Sequence, residues 1–264
     1  YFAGFGGTTY ANAGTKKNLV IIMLRGGMDG LCAIPVKGDK NFEKLRSKIN
    51  LDRTLKLTSD FDLHPALKTF KNLWDENLSA AVHATNIPYT GRSHFDGQNL
   101  MESGGKIPYQ EKTGWLGRGM KIAGLTGNGL ALALPMPLLI RGVPMNNNYF
   151  PVGHKLPYPS TLKMIQEVYK EYDEKLLSEN LEIIQTRELS NTSTDSSWVL
   201  ASNAANELSK VDGPRVAVFE VDGFDTHAAQ GATNGAHADC LSDYDNIVKS
   251  LKSSMSKEAF DNTL

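Results

Sequence analysis

The run Asn18-Leu-Val-Ile-Ile-Met-Leu24 constrains the fold of this chain more than any other feature. It is apolar over the full length of a strand, whereas a strand with one face in water alternates apolar and polar residues. A central parallel strand covered on both faces is the expected outcome, and with it an α/β architecture. Arg25-Gly-Gly-Met-Asp29-Gly30 follows as a glycine-rich turn at the strand's carboxyl end. Glycines there permit positive φ and close approach of backbone to a ligand. Their spacing matches neither a dinucleotide fingerprint nor a Walker loop.

A second apolar run, Val216-Ala-Val-Phe219, precedes Asp222-Gly-Phe-Asp225-Thr-His227. Two carboxylates and an imidazole are thus expected at the carboxyl end of another buried strand, where open α/β sheets place ligands. Oxygen and imidazole donors suit a divalent cation, zinc or manganese foremost, with calcium or magnesium also admitted. An Asx-type turn with a helix cap would use the same residues.

A further polar cluster, Gly91-Arg-Ser93-His94-Phe-Asp96-Gly-Gln98-Asn99, runs on to Glu102. Ser93 is placed to cap a helix, facing free backbone N–H groups and the positive end of the dipole. That setting binds phosphate or sulfate and helps stabilise an alkoxide, so cap and nucleophile are compatible roles.

Between these clusters the pattern alternates strand and helix. A helix is expected over 64–75, with Leu67, Phe70 and Trp74 at helical spacing, then a strand over 78–84 holding His83 in the core. Helices should open at Ser93 and near Thr113. Residues 130–140 suit a strand or edge segment interrupted by Pro135 and Pro137. A loop over 145–159 and helices over 160–178 and about 195–210 would make 145–211 a helical insertion. A strand over 215–221 and a last amphipathic helix bearing Leu241, Tyr244, Val248, Leu251 and Met255 complete the chain.

At 264 residues and 41% hydrophobic, the chain is long enough for one α/β domain from residue 14 onward plus that insertion. A net charge of -1 with scattered basic residues calls for no nucleic-acid partner. No apolar run approaches the roughly 18 residues of a transmembrane segment. The small, uncharged residues 1–13 end in Ala11-Asn-Ala13 and read as the tail of an export signal or a flexible arm. Cys32 and Cys240 are the only cysteines, which excludes a disulfide scaffold; an oxidising compartment would permit one bridge.

Leu24-Arg-Gly-Gly-Met-Asp-Gly-Leu31, Leu63-His-Pro-Ala-Leu67, Ser93-His-Phe95, Thr113-Gly-Trp-Leu-Gly-Arg118 and Gly223-Phe-Asp-Thr-His-Ala228 together resemble the family called domain of unknown function 1501. The resemblance runs from about residue 18 to the end. It implies a bacterial protein, exported by the twin-arginine route to the periplasm or beyond. It also implies a doubly wound, mostly parallel sheet with an alkaline phosphatase-like or sulfatase-like core and metals at its carboxyl edge. The segment from Gly91 to Gly104 is similar to that bearing the nucleophile in phosphopentomutases, which points to Ser93. Asp222, Asp225 and His227 are similar to the superfamily's metal pair, with a spacing one residue different. Arg25 stands where the superfamily has a metal-binding Asp, and Asp29 reaches the same region from a longer turn. Family members continue past a segment like Glu258-Ala-Phe-Asp-Asn-Thr-Leu264 into a further strand and an Asp-His pair, so a longer biological protein is expected.

The expected activity is metal-dependent hydrolysis of a small or polymer-linked phosphate or sulfate ester. Ser93 attacks, Arg25 or His94 contacts the anionic oxygens, and Asp29, Asp222, Asp225 and His227 hold the cation. The competing expectation is a secreted structural or binding protein that keeps the fold and self-associates in an extracellular assembly.

Overall fold

The computed structural model describes residues 14–49, 51–132, 136–144, 146–148, 159–171 and 196–264. Strand β1 (Leu19–Leu24) leads into short helices α1 (Gly30–Ala33) and α2 (Lys40–Leu45). A two-stranded antiparallel pair, β2 (Leu55–Lys56) and β3 (Asp62–Leu63), precedes helices α3 (Lys68–Asp75), α4 (His94–Ser103) and α5 (Trp115–Ile122). Then come β4 (Gly129–Leu132), a 3-10 turn (Leu138–Ile140) and β5 (Asn147–Asn148). Helices α6 (Pro159–Glu171) and α7 (Ser197–Leu208), strand β6 (Val216–Val221), and helices α8 (Ala236–Ser254) and α9 (Lys257–Asp261) follow.

The main sheet is mixed with helices in an α/β arrangement, and its strand order is β1-β6-β4-β5 with every pairing parallel. β6 lies inside the sheet, and its neighbours β1 and β4 pair with it in register from Leu19↔Val216 and Gly129↔Val216. Alternate strand residues feed two cores. Leu130, Leu132, Ala217, Phe219 and Val221 pack with α7 and α8 residues, whereas Ala131, Val216 and Val218 pack with Leu116 and Met120 of α5. Apolar residues are needed on both faces, which is why β1 and residues 216–219 of β6 read as unbroken apolar runs.

Ala201, Ala204 and Ala205 are fully buried on α7, and their small side chains let α8 pack closely against it. β1 is an edge strand, but the chain's last residues start to pair with it: Asn18 bridges Thr263 in parallel, and the Val20 N–H donates to the Leu264 carbonyl at 2.8 Å.

The chain divides into two compact units, and α6 lies in the smaller one, which takes in residues 150–196. The expected helix over 160–178 is therefore present to Glu171, and 172–178 lies outside the described residues, as do residues 1–13. Helix α7, assigned from the sequence to the insertion, belongs to the larger unit with the sheet.

Two expectations need correction. Residues 78–84 are not a strand; Leu78 and Val82 are exposed, at 57% and 80%. β propensity becomes a strand only where an edge is available to pair with, and no described strand runs beside this segment. His83 is half-buried there, its Nε2 3.2 Å from the Ile34 carbonyl. Second, α3 begins at Lys68 rather than 64, because its first N–H groups are capped from a distance. The buried Asp245 carboxylate on α8 accepts from Thr69 N at 2.9 Å and Phe70 N at 3.1 Å. His64 instead turns fully inward, accepting from Ala66 N at 3.1 Å.

Candidate active site

β1 and β6 end side by side, with Leu24 opposite Val221, so the turn after one strand and the loop after the other emerge together. They are fastened by the Phe224 N–H donating to the Arg25 carbonyl at 3.3 Å. Gly26 sits where they cross: its φ is +102°, and a Cβ there would stand 2.5 Å from the Asp225 nitrogen. Only glycine permits that approach.

Helix α4 closes the third side. Ser93 is its N-cap, with Oγ accepting from Asp96 N at 3.3 Å. His94, Gln98 and Glu102 recur at intervals of four, so they share one helix face, and all three meet the strand ends. His94 Nε2 lies 2.9 Å from Asp225 Oδ2. Gln98 Oε1 and Glu102 Oε1 accept from Arg25 Nη1 at 3.2 and 2.8 Å. Asp225 spends its other oxygen on His227, whose Nε2 is 3.0 Å from Oδ1. Asp225 is thus a carboxylate held between two imidazoles, one of which, His94, directly follows the capping Ser93 in the chain. His227 adopts φ +46°, a left-handed conformation unusual for a side-chain-bearing residue. The centre is open, since the side chains of His94, Asp225 and His227 keep 32%, 40% and 78% of their exposure.

Arg25 stands differently from expectation. Its Nη2 is paired with Glu220 of β6 and its Nη1 with Glu102, and all three side chains are at least four-fifths buried. Burial works against the charged guanidinium, but its hydrogen bonds to Glu220 and Glu102 outweigh that and raise its pKa. Burial also pushes the Glu220 carboxyl up, with Arg25 opposing. Glu102 completes its own bonding through Oε2, which accepts from Leu139 N at 2.9 Å. The guanidinium therefore locks α4 onto the strand ends, with both terminal nitrogens engaged by carboxylates.

Asp29 is committed elsewhere too. It caps α1, pairs with Arg46, and accepts from Gln230 Nε2 at 2.8 Å. Burial would raise its carboxyl, but the bonds from Arg46 and Gln230 hold it below the ordinary carboxylate range. Asp222 is exposed, and its carbonyl accepts from the Cys240 thiol at 3.5 Å. Of the expected set, the structure joins Asp225 and His227, brings His94 to them, and leaves Asp29 and Asp222 in other bonds or exposed.

Among the described residues, no three His, Cys, Asp or Glu side chains converge on one point as ready metal ligands. The donor chemistry of Asp225 and His227 nevertheless suits zinc or manganese.

Sequence reasoning missed Glu220 as the counter-ion of Arg25; its signal is the lone charge within an apolar strand. It also missed the polar group behind the site. His237 is 1% exposed with neither ring nitrogen hydrogen-bonded, packing edge-on against Phe224, with His64 nearby. Both cysteines are free thiols, Cys32 fully buried. Among the described residues no helix is long and apolar enough to cross a membrane. Comparison with protein-family models, curated proteins and solved structures finds no match for this chain.

Proposed function

We propose that this chain is an exported hydrolase of phosphate or sulfate monoesters, built on a doubly wound, alkaline phosphatase-like sheet and belonging with the domain of unknown function 1501 family. The observation that carries the reading is the carboxylate of Asp225 held between His94 and His227 at the ends of two parallel strands, with Ser93 capping the helix that bears His94.

Ser93 gives its proton to the His94 imidazole, which Asp225 orients, and its Oγ bonds to phosphorus or sulfur. The ester oxygen leaves with the bonding pair and takes the proton, departing as the alcohol. Water then attacks the same centre, releases phosphate or sulfate, and returns a proton to Ser93. Ser93 Oγ takes up the Asp96 N–H, and the His94 and Phe95 N–H groups, which helix geometry leaves without intrahelical acceptors, receive the anionic oxygens in place of Arg25. Asp225 and His227 would hold a zinc or manganese ion, which would lower the hydroxyl pKa and neutralise developing charge.

The test is turnover of 4-nitrophenyl phosphate and 4-nitrophenyl sulfate by protein purified with zinc or manganese. Ser93→Ala and Asp225→Asn should each reduce kcat at least about a hundredfold, and chelation should do the same. Turnover unchanged in Ser93→Ala would sink the assignment. The ion-paired Arg25, and the absence of a convergent cage among the described residues, favour a second reading: a non-catalytic secreted protein that self-associates. Its signature is no turnover, together with concentration-dependent growth in mass by light scattering.

A further inference from the structure

The strand pair of β2 and β3 carries a buried carboxylate whose bonding is incomplete. Asp62 is fixed through its backbone: β3 lies against β2, and the Asp62 N–H donates to the Pro35 carbonyl at 3.1 Å. That pairing leaves the residue 7% exposed. An ionised carboxylate has about four lone-pair sites to fill. Asp62 fills one with the Thr54 hydroxyl, 2.6 Å from Oδ2, while Oδ1 has no hydrogen-bond partner. Lys37 Nζ stands 3.9 Å from Oδ2, beyond hydrogen-bonding distance, on a side chain that is 59% exposed. Lys56, opposite Asp62 in register, is exposed as well. A buried charge is costly without a partner, and these lysines supply little of one.

Asp62 lines a cleft of about 360 Å³, a volume within the range of small-molecule sites, roughly 300–1,000 Å³. Val36, Phe42 and Leu51 give it apolar walls. Of the charged side chains that line it, Arg46 is already paired with Asp29, which leaves Asp62 and Glu43 against Lys37. The cleft therefore favours a cation, and its walls decide which kind. A hard divalent metal requires a shell of oxygen donors, which apolar walls do not provide. A quaternary ammonium is held by aromatic faces, but Phe42 is the one ring in the lining and Arg46 already stands over it, 6.0 Å from the centroid. We propose that this cleft binds a primary alkylammonium. Its N–H groups donate to Asp62 and Thr54, and its hydrocarbon chain lies against Val36, Phe42 and Leu51. The head makes a charge-assisted hydrogen bond and the chain leaves water. The site shares no residue with the Asp225 centre and stands apart from the hydrolase reading.

The experiment measures binding of n-hexylamine to the full chain at pH 7 by calorimetry, beside hexan-1-ol, which has the same chain and no charge. Hexylammonium should saturate a single site, and hexanol should bind at least about tenfold more weakly. Asp62→Asn keeps the shape of the side chain and removes its charge. It should weaken hexylammonium about tenfold and leave hexanol unchanged. Lys37→Gln removes the competing ammonium from an exposed position and should tighten hexylammonium about threefold. The proposal is overturned if wild type does not bind hexylamine, if hexanol binds as tightly, or if folded Asp62→Asn keeps the wild-type affinity. Should Asp62→Asn fail to fold, Lys37→Gln decides: unchanged affinity overturns the site.

Discussion

A single hydrogen-sized side chain decides where Asp225 stands. Gly26→Ala would drive a methyl group to 2.5 Å from the Asp225 nitrogen in a backbone conformation with φ +102°. Denaturant midpoints should show a loss of about 1–3 kcal/mol, and ester turnover should fall with it. His237 gives a pH-dependent counterpart. Burial lowers its pKa below the ordinary 6.5, so the unfolded chain binds this proton more readily than the native one. Its contribution to stability is therefore intact above pH 6.5 and declines as the pH falls through that value toward the native pKa. His237→Phe keeps a ring against Phe224 and removes two buried nitrogens without partners. Urea midpoints of the variant should fall less than those of wild type between pH 7 and pH 5. An equal fall in both proteins would refute the assignment.

Elements differ in how openly they announce themselves. β1 and β6 are apolar on both faces, and α4 begins with a serine whose cap is local; each is legible because its cause lies within a few residues. The start of α3 is not, because the carboxylate that caps it is 176 residues away on α8. Asp245→Ala would leave the Thr69 and Phe70 N–H groups without that acceptor in a buried setting. We expect a loss of about 1–3 kcal/mol, read as a lowered midpoint in urea. The strand expected at 78–84 failed for the opposite reason, since propensity was present and a pairing edge was not. At the site, residue types near the strand ends were legible, but their pairing was not. Arg25 reads as an anion ligand until Glu102 and Glu220 are found beside it, and those come from a helix and a strand far along the chain.

Across the whole molecule, the sheet is unevenly closed. Among the described residues, β6 is paired along both sides, while β1 is paired on one side and only at its start on the other. The Leu19 and Arg25 N–H groups donate to the Arg215 and Val221 carbonyls at the two ends of β6, at 2.8 and 2.9 Å, so odd-numbered amides of β1 face inward. Even-numbered amides face outward, and of these Val20 finds the Leu264 carbonyl at 2.8 Å. Amide hydrogen–deuterium exchange should therefore alternate along one strand. Ile21 and Met23 should exchange as slowly as the core, Val20 at an intermediate rate set by fraying of the last residues, and Ile22 and Leu24 fastest. Uniform protection from Val20 to Leu24 would mean that another strand lies along that edge in solution.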